Sequence, residues 1–226
     1  MVFDFDGVIV DSEPIHLEGF RQVLAERGVS LGRDEYYERY LGFADREAFA
    51  AILQARGQGV SKPELRRLIE DKTRLVKQLL GNRTRALPGA RELIASARDG
   101  GVPLAICSGA LRAEIELAAS AAGVRNAFSV IVSADDVTRG KPDPAGYRLA
   151  LRLLGEVLGR APDPARCVAI EDAPAGIDAA HGAGIRVLGV ATSYPLVTLH
   201  AAERAVESLA EIALHDIVAL AGGPGS

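Results

Sequence analysis

The chain has 226 residues, more than one average domain and less than two comfortable ones, so a single core carrying a sizeable insertion fits best. With 48% hydrophobic and 25% charged residues it can bury a real core, which excludes wholesale disorder. A formal net charge of −4, from 26 Lys and Arg against 30 Asp and Glu, makes no field that would draw in nucleic acid or an anionic membrane, and neither partner is expected.

In chain order, the first apolar run of strand length is Val2–Phe5, with only three residues ahead of Asp4, so this strand is expected to be short. The next strand-like run begins only at Val102, with about 96 residues between it and Phe5, far more than a βα crossover needs. That interval opens with Ser12-Glu13-Pro14, an N-cap candidate with Pro in the first turn, followed by a stripe of Leu17, Phe20 and Leu24 ending at Gly28. Helical pattern continues through Glu47–Leu53 and Glu64–Leu80. We therefore expect an all-helical domain over residues 13–84, inserted into a core made of residues 1–12 and 85–226, with linkers near Asp11–Ser12 and Arg85–Gly89. Beyond it, Val102–Cys107, Ser129–Val132, Cys167–Ile170 and Ile185–Val190 are Val- and Ile-rich and nearly continuous, the pattern of a parallel sheet covered on both faces. Between them, Leu111, Ile115, Ala118 and Ala122 form a helical stripe stopping at Gly123, and Tyr147, Leu151 and Leu154 one stopping at Gly155. A doubly wound, Rossmann-like α/β core follows. The Ala-rich stretch Ala201–Leu220 reads as a closing helix, and Gly222–Ser226 as a frayed end. Cys107 and Cys167 lie inside apolar runs and read as buried thiols. No apolar run approaches the ~18 residues of a membrane span, and the amino-terminal residues lack a signal pattern, so the expected setting is cytoplasmic.

Ligands of doubly wound sheets bind beyond the carboxyl ends of the strands. Four of these ends carry chemistry: Asp4-Phe5-Asp6-Gly7, Ser108-Gly109, the loop Gly140-Lys141-Pro142-Asp143-Pro144, and Glu171-Asp172. Asp4 and Asp6 are two apart, so on extended chain both side chains face one way; a pair of turn-forming aspartates is the alternative. A second acidic pair at the same sheet edge would repel the first unless a cation were present, and Mg²⁺ with oxygen ligands resolves the conflict. Ser108-Gly109 opens a helix, where free N–H groups favour an anion, though Ser108 serves equally as an N-cap. Lys141, held between Gly140 and Pro142, is placed to neutralise phosphate. Together these residues describe phosphoryl transfer.

The stretch from Phe3 to Glu13, with Ser108, Lys141-Pro142-Asp143-Pro144 and Glu171-Asp172-Ala173-Pro174-Ala175-Gly176, resembles the haloacid dehalogenase (HAD) superfamily, in particular its helical-cap phosphatases and their β-phosphoglucomutase relatives. The resemblance implies Asp4 as nucleophile and Asp6 as general acid and base. It implies Ser108, Gly109 and Lys141 as phosphate ligands. It also implies an Mg²⁺ site of Asp4, Asp6 (through its carbonyl), Glu171 and Asp172. The helical insertion then corresponds to a cap that closes over the site and chooses the substrate, with His16, Arg46 in Gly42-Phe43-Ala44-Asp45-Arg46, and Lys72 as candidate substrate contacts. For His16 a helix-surface histidine is the alternative reading, and for Arg46 and Lys72 a solvated charged face. The expected protein is a monomeric Mg²⁺-dependent phosphatase of a small phosphorylated metabolite, a sugar phosphate, with a β-phosphoglucomutase as the alternative. Ser12 in place of the mutase threonine, and the run Ser108-Gly109-Ala110, weigh against the mutase.

Overall fold

A computed structural model describes residues 1–41, 43 and 45–222. The chain divides into two compact units, one made of Met1–Asp11 with Thr84–Ser226 and the other of Ser12–Arg83. The first is built on six strands: β1 (Val2–Phe3), β2 (Ala105–Cys107), β3 (Val130–Val132), β4 (Val168–Glu171), β5 (Arg186–Val190) and β6 (Arg204–Val206), in the spatial order β3-β2-β1-β4-β5-β6. Their pairings are all parallel. Strands β2, β3 and β4 are buried along their whole length, as continuous apolar runs covered on both faces require. The chain moves outward from β1 to one side and then returns to the other through β4, which puts the topological switch point at the carboxyl ends of β1 and β4.

The second unit is all helical, with α1 (Glu13–Ala25), α2 (Arg33–Arg39), α3 (Asp45–Ala55) and α4 (Lys62–Arg83). The stripe Leu17, Phe20 and Leu24 is buried on α1 and meets Phe49, Ile52 and Leu53 of α3 in one apolar cluster. Phe20 and Phe49 stack edge to face with centroids 4.8 Å apart. Helix α2 escaped the sequence reading because its seven residues, six of them charged or Tyr37, bury Tyr36 alone and so show no period.

The core helices are α5 (Ala90–Asp99), α6 (Arg112–Ala121), α7 (Ala145–Leu158), α8 (Pro174–Gly182) and α9 (Leu214–Leu220). Side chains from the sheet and from α7 and α8, among them Val2, Val132, Tyr147, Leu154 and Ile177, form the central cluster. Several expected boundaries move. Strand β2 starts at Ala105 rather than Val102, since Pro103 has no N–H to give the ladder. Strand β1 ends at Phe3 because the chain then curls: Ile9 N and Val10 N both donate to Phe5 O. Helix α6 starts after Leu111, which is exposed and lies outside the stripe. Helix α7 runs through Gly155 and ends at Gly159. Cys167 is half-buried, with its thiol against Asp163 O, whereas Cys107 is buried.

The closing helix over Ala201–Leu220 is corrected to β6, a short 3₁₀ turn (Leu209–Glu211) and the seven-residue α9. The edge of β5 offers ladder bonds that outweigh the alanine helix propensity, and the Glu203 carboxylate accepts from Val187 N at 2.6 Å just before β6. A signal was present in Ser208 and Glu211, whose reciprocal capping box marks a new start in mid-stretch. Of the frayed end Gly222–Ser226, residues 223–226 lie outside those described. No described helix is long and apolar enough to cross a membrane.

Candidate active site

The register pairs Phe3 with both Ile106 and Ile170, so the next residue, Asp4, stands level with Cys107 and Glu171 at the carboxyl edge. Asp4 N donates to Ile170 O at 2.9 Å and carries the ladder one residue past β1. The carboxylates of Asp4, Glu171 and Asp172, all buried, each bring an oxygen within 4.8 Å of the others. Two glycines make room for them. Gly7 has φ +78°, and a Cβ there would lie 1.9 Å from Asp172 Oδ2. At Gly176, in the first turn of α8, a Cβ would lie 2.0 Å from Glu171 Oε2. Glycine is thus demanded by the carboxylates themselves.

Lys141 enters this cluster from the loop before α7. Its Nζ lies 2.6 Å from Asp4 Oδ1 and 2.6 Å from Glu171 Oε1. Burial works against the ammonium charge, but Asp4 and Glu171 outweigh it and raise the Lys141 pKa. Burial, opposed by Lys141 and reinforced by Asp4, pushes Glu171 up to about 7; burial and Asp4 push Asp172 up to about 7. Three gathered carboxylates facing one ammonium hold surplus negative charge at neutral pH. Oxygen donors of this kind, in this number, fit a hard divalent cation such as Mg²⁺.

Asp6 is half-buried just after β1, where it makes an isolated parallel bridge with Val10, and its carboxylate is not in the acidic group. Ser108 is buried directly after β2, and its hydroxyl accepts from Ala110 N at 3.0 Å. It is not the N-cap of α6, since that position is Leu111; the chain makes a turn over Gly109 and Ala110 before the helix begins. Ser108, Gly109, Lys141, Arg139, Cys107 and Tyr147 share the lining of a cavity of about 260 Å³. Burial pushes the Cys107 thiol up to about 12, so it stays protonated.

In the helical unit, Lys72 is only 2% exposed, which rules out the solvated-face reading. Its ammonium pairs with Asp45, donates to His16 Nδ1 at 3.1 Å, and sits 4.2 Å above the Phe20 ring. Arg46 is exposed in the first turn of α3; Gly42 and Ala44 of its segment lie outside the described residues. Burial, then the Lys72 ammonium, lower the His16 pKa to about 4 against the opposing pull of Asp45. His16 is therefore neutral at pH 7, with Nδ1 accepting and the ring proton on Nε2. Imidazole ¹⁵N shifts measured against pH should show a midpoint near 4; one near the ordinary 6.5 would contradict this geometry.

Two site residues escaped the sequence reading. Tyr147, whose sequence position fits one more apolar stripe residue, is fully buried and donates from its hydroxyl to Glu171 Oε1 at 2.5 Å. Burial and the Glu171 charge raise its pKa far above the usual value, so it is a donor only. The available signal was that a buried tyrosine hydroxyl needs a partner, six residues after Lys141. Ser193, after β5, bonds the Asp172 carboxylate with its side chain; nothing in its local sequence marks it.

Comparison with known proteins agrees with this arrangement. The model of the haloacid dehalogenase-like hydrolases matches residues 1–184. The chain is 29% identical over 221 residues to the chloroplastic 5-amino-6-(5-phospho-D-ribitylamino)uracil phosphatase of Arabidopsis thaliana, covering 97% of this chain but spanning only 57% of that protein. It is 31% identical over 195 residues to a phosphorylated carbohydrates phosphatase of Thermotoga maritima, covering 85% of each. Among solved structures, CbbY from Rhodobacter sphaeroides in complex with phosphate superimposes with a TM-score of 0.78 at 30% identity, over 93% of this chain and 94% of that one. With the doubly wound parallel sheet, the inserted helical unit and the acidic strand ends, these matches show that the chain belongs to the haloacid dehalogenase-like hydrolase family.

Proposed function

We propose that this protein is a Mg²⁺-dependent phosphatase that hydrolyses a small phosphorylated metabolite of the sugar-phosphate class through a phosphoaspartate on Asp4. The observation that carries the reading is the meeting of Asp4, Glu171, Asp172 and Lys141 at the switch point of the sheet. The phosphatases of phosphorylated small molecules among its relatives support it. A carboxylate oxygen of Asp4 attacks phosphorus; the P–O(Asp4) bond forms as the bond to the leaving oxygen breaks, and Asp6 protonates that oxygen. Water then attacks phosphorus, giving its proton to Asp6, and the P–O(Asp4) bond breaks to free phosphate. Lys141, Ser108 and the Gly109 N–H hold the phosphoryl oxygens throughout. Asp4, Glu171, Asp172 and the Asp6 carbonyl would hold Mg²⁺, which supplies positive charge against nucleophile and phosphoryl group. We assign substrate selection to the helical unit, with exposed Arg46 as the contact for the far end of the substrate and the Lys72–His16 pair as a fixed polar element.

A panel of phosphorylated sugars and related metabolites, incubated with the protein and Mg²⁺, is expected to show phosphate release from at least one of them. No release from any member would contradict the reading. Conversion of β-glucose 1-phosphate to the 6-phosphate, primed by the bisphosphate, would instead mark the mutase, in which a sugar hydroxyl replaces water as acceptor.

A further inference from the structure

We propose that Tyr147 is a positioning residue for this reaction: its hydroxyl pins the Glu171 carboxylate and thereby keeps Lys141 directed at Asp4. The inference rests on the phosphatase reading above and extends it to a residue that touches none of the reacting atoms. Tyr147 is the third residue of α7, 0% exposed, and its hydroxyl lies 2.5 Å from Glu171 Oε1. The same oxygen takes Lys141 Nζ at 2.6 Å, and that ammonium reaches Asp4 Oδ1 at 2.6 Å on its other side. Lys141 Nζ also lies 5.4 Å from the centroid of the Tyr147 ring. One tyrosine therefore contacts both members of the ion pair that faces the nucleophile. Behind Glu171 the backbone of Gly176 leaves no space for further atoms, so the carboxylate is held between a wall and two donors.

The hydroxyl is the part that calls for explanation, because phenylalanine would fill the same space without burying a polar group. With Tyr147 donating, Glu171 shares its charge between two donors, and Lys141 keeps its second bond to Asp4. With Lys141 as sole donor, the carboxylate is free to turn about its side chain and draw the ammonium off the line to the phosphoryl group.

The test is Tyr147→Phe in the full chain, which keeps the ring and its contact with Lys141. A hydrogen bond to a charged group is worth about tenfold to a hundredfold. We expect kcat to fall by that factor, KM to change little, and binding of orthovanadate in the presence of Mg²⁺ to weaken by a similar factor. In a Glu171→Gln background the same substitution should change vanadate affinity less than about threefold, because its partner is already altered. Values of kcat and vanadate affinity within about twofold of the parent, or effects that simply add in the double variant, would overturn the proposal even if the melting temperature fell. Should Tyr147→Phe not fold, 3-fluorotyrosine at position 147 keeps the hydroxyl and changes its donor strength; altered vanadate affinity supports the proposal and unaltered affinity overturns it. A parent protein that binds vanadate but hydrolyses no substrate would end the phosphatase reading while the vanadate cycle still decides Tyr147. Absence of vanadate binding by the parent would overturn both.

Discussion

Asp4→Asn is expected to lower phosphate release by about 10⁴-fold or more in kcat while leaving the protein folded. Asparagine has the shape of aspartate but cannot form the acyl phosphate at a useful rate, so the loss belongs to the chemical step. The fold survives for an electrostatic reason. Asp4 is one of the charges that raise Glu171 and Asp172, and removing it relieves their repulsion, while Lys141 keeps its 2.6 Å contact with Glu171. We expect a melting temperature within the ~2–4 °C that 1 kcal/mol produces in a chain of this size. Steady-state phosphate release and calorimetry on the same preparation separate the two effects. Activity near that of the parent would remove Asp4 from the role of nucleophile.

Lys141→Ala is expected to have the larger effect on stability. It leaves Asp4, Glu171 and Asp172 together without the ammonium that bonds two of them, and breaking a buried ion pair from one side costs about 3–5 kcal/mol. The loss depends on pH with a definite sign. In the metal-free protein Glu171 and Asp172 titrate near 7, above their ordinary 4.5 and 3.8, so between about 4 and 7 the folded state binds more protons than the unfolded one. Stability from these groups is full below about 4 and is lost as pH rises through 7. Without Lys141 both carboxylates hold their protons to still higher pH, so the deficit of Lys141→Ala relative to the parent should be greatest at pH 8 and shrink toward pH 5. Added Mg²⁺ works in the opposite direction, stabilising more as the carboxylates ionise. Urea unfolding at both pH values, with and without Mg²⁺, measures all of this; an equal deficit at pH 5 and pH 8 would show that Lys141 does not neutralise this cluster.

The fold was legible wherever the pattern was long and apolar. The runs at β2 to β5 needed only their Val and Ile content, and the Leu17, Phe20 and Leu24 stripe placed α1. It failed where tertiary context outweighs local preference: β6 exists because β5 has an edge to fill, and no three residues of Arg204-Ala205-Val206 announce that. The residues Asp4, Lys141, Glu171 and Asp172 could be read because parallel strands deliver their carboxyl ends to one place, so position after a strand implies proximity in space. Tyr147 was masked by its place in an apolar stripe, where only the need of a buried hydroxyl for a partner hinted at more, and Ser193 acts through a hydrogen bond made across the fold that nothing local marks. Lys72 shows the same limit from the other side: sequence offers a charged helix face, and only the packing of Asp45, His16 and Phe20 around its ammonium shows that the charge is buried.

The phosphoaspartate itself is tested most directly by a single-turnover reaction with a hydrolysed substrate and Mg²⁺, quenched in acid and mapped by peptide mass spectrometry. The prediction is a transient phosphoryl group on the peptide that contains Asp4, carried by Asp4 and absent in Asp4→Asn. Phosphate appearing with no labelled peptide at any time point, or a label on another residue, would contradict it.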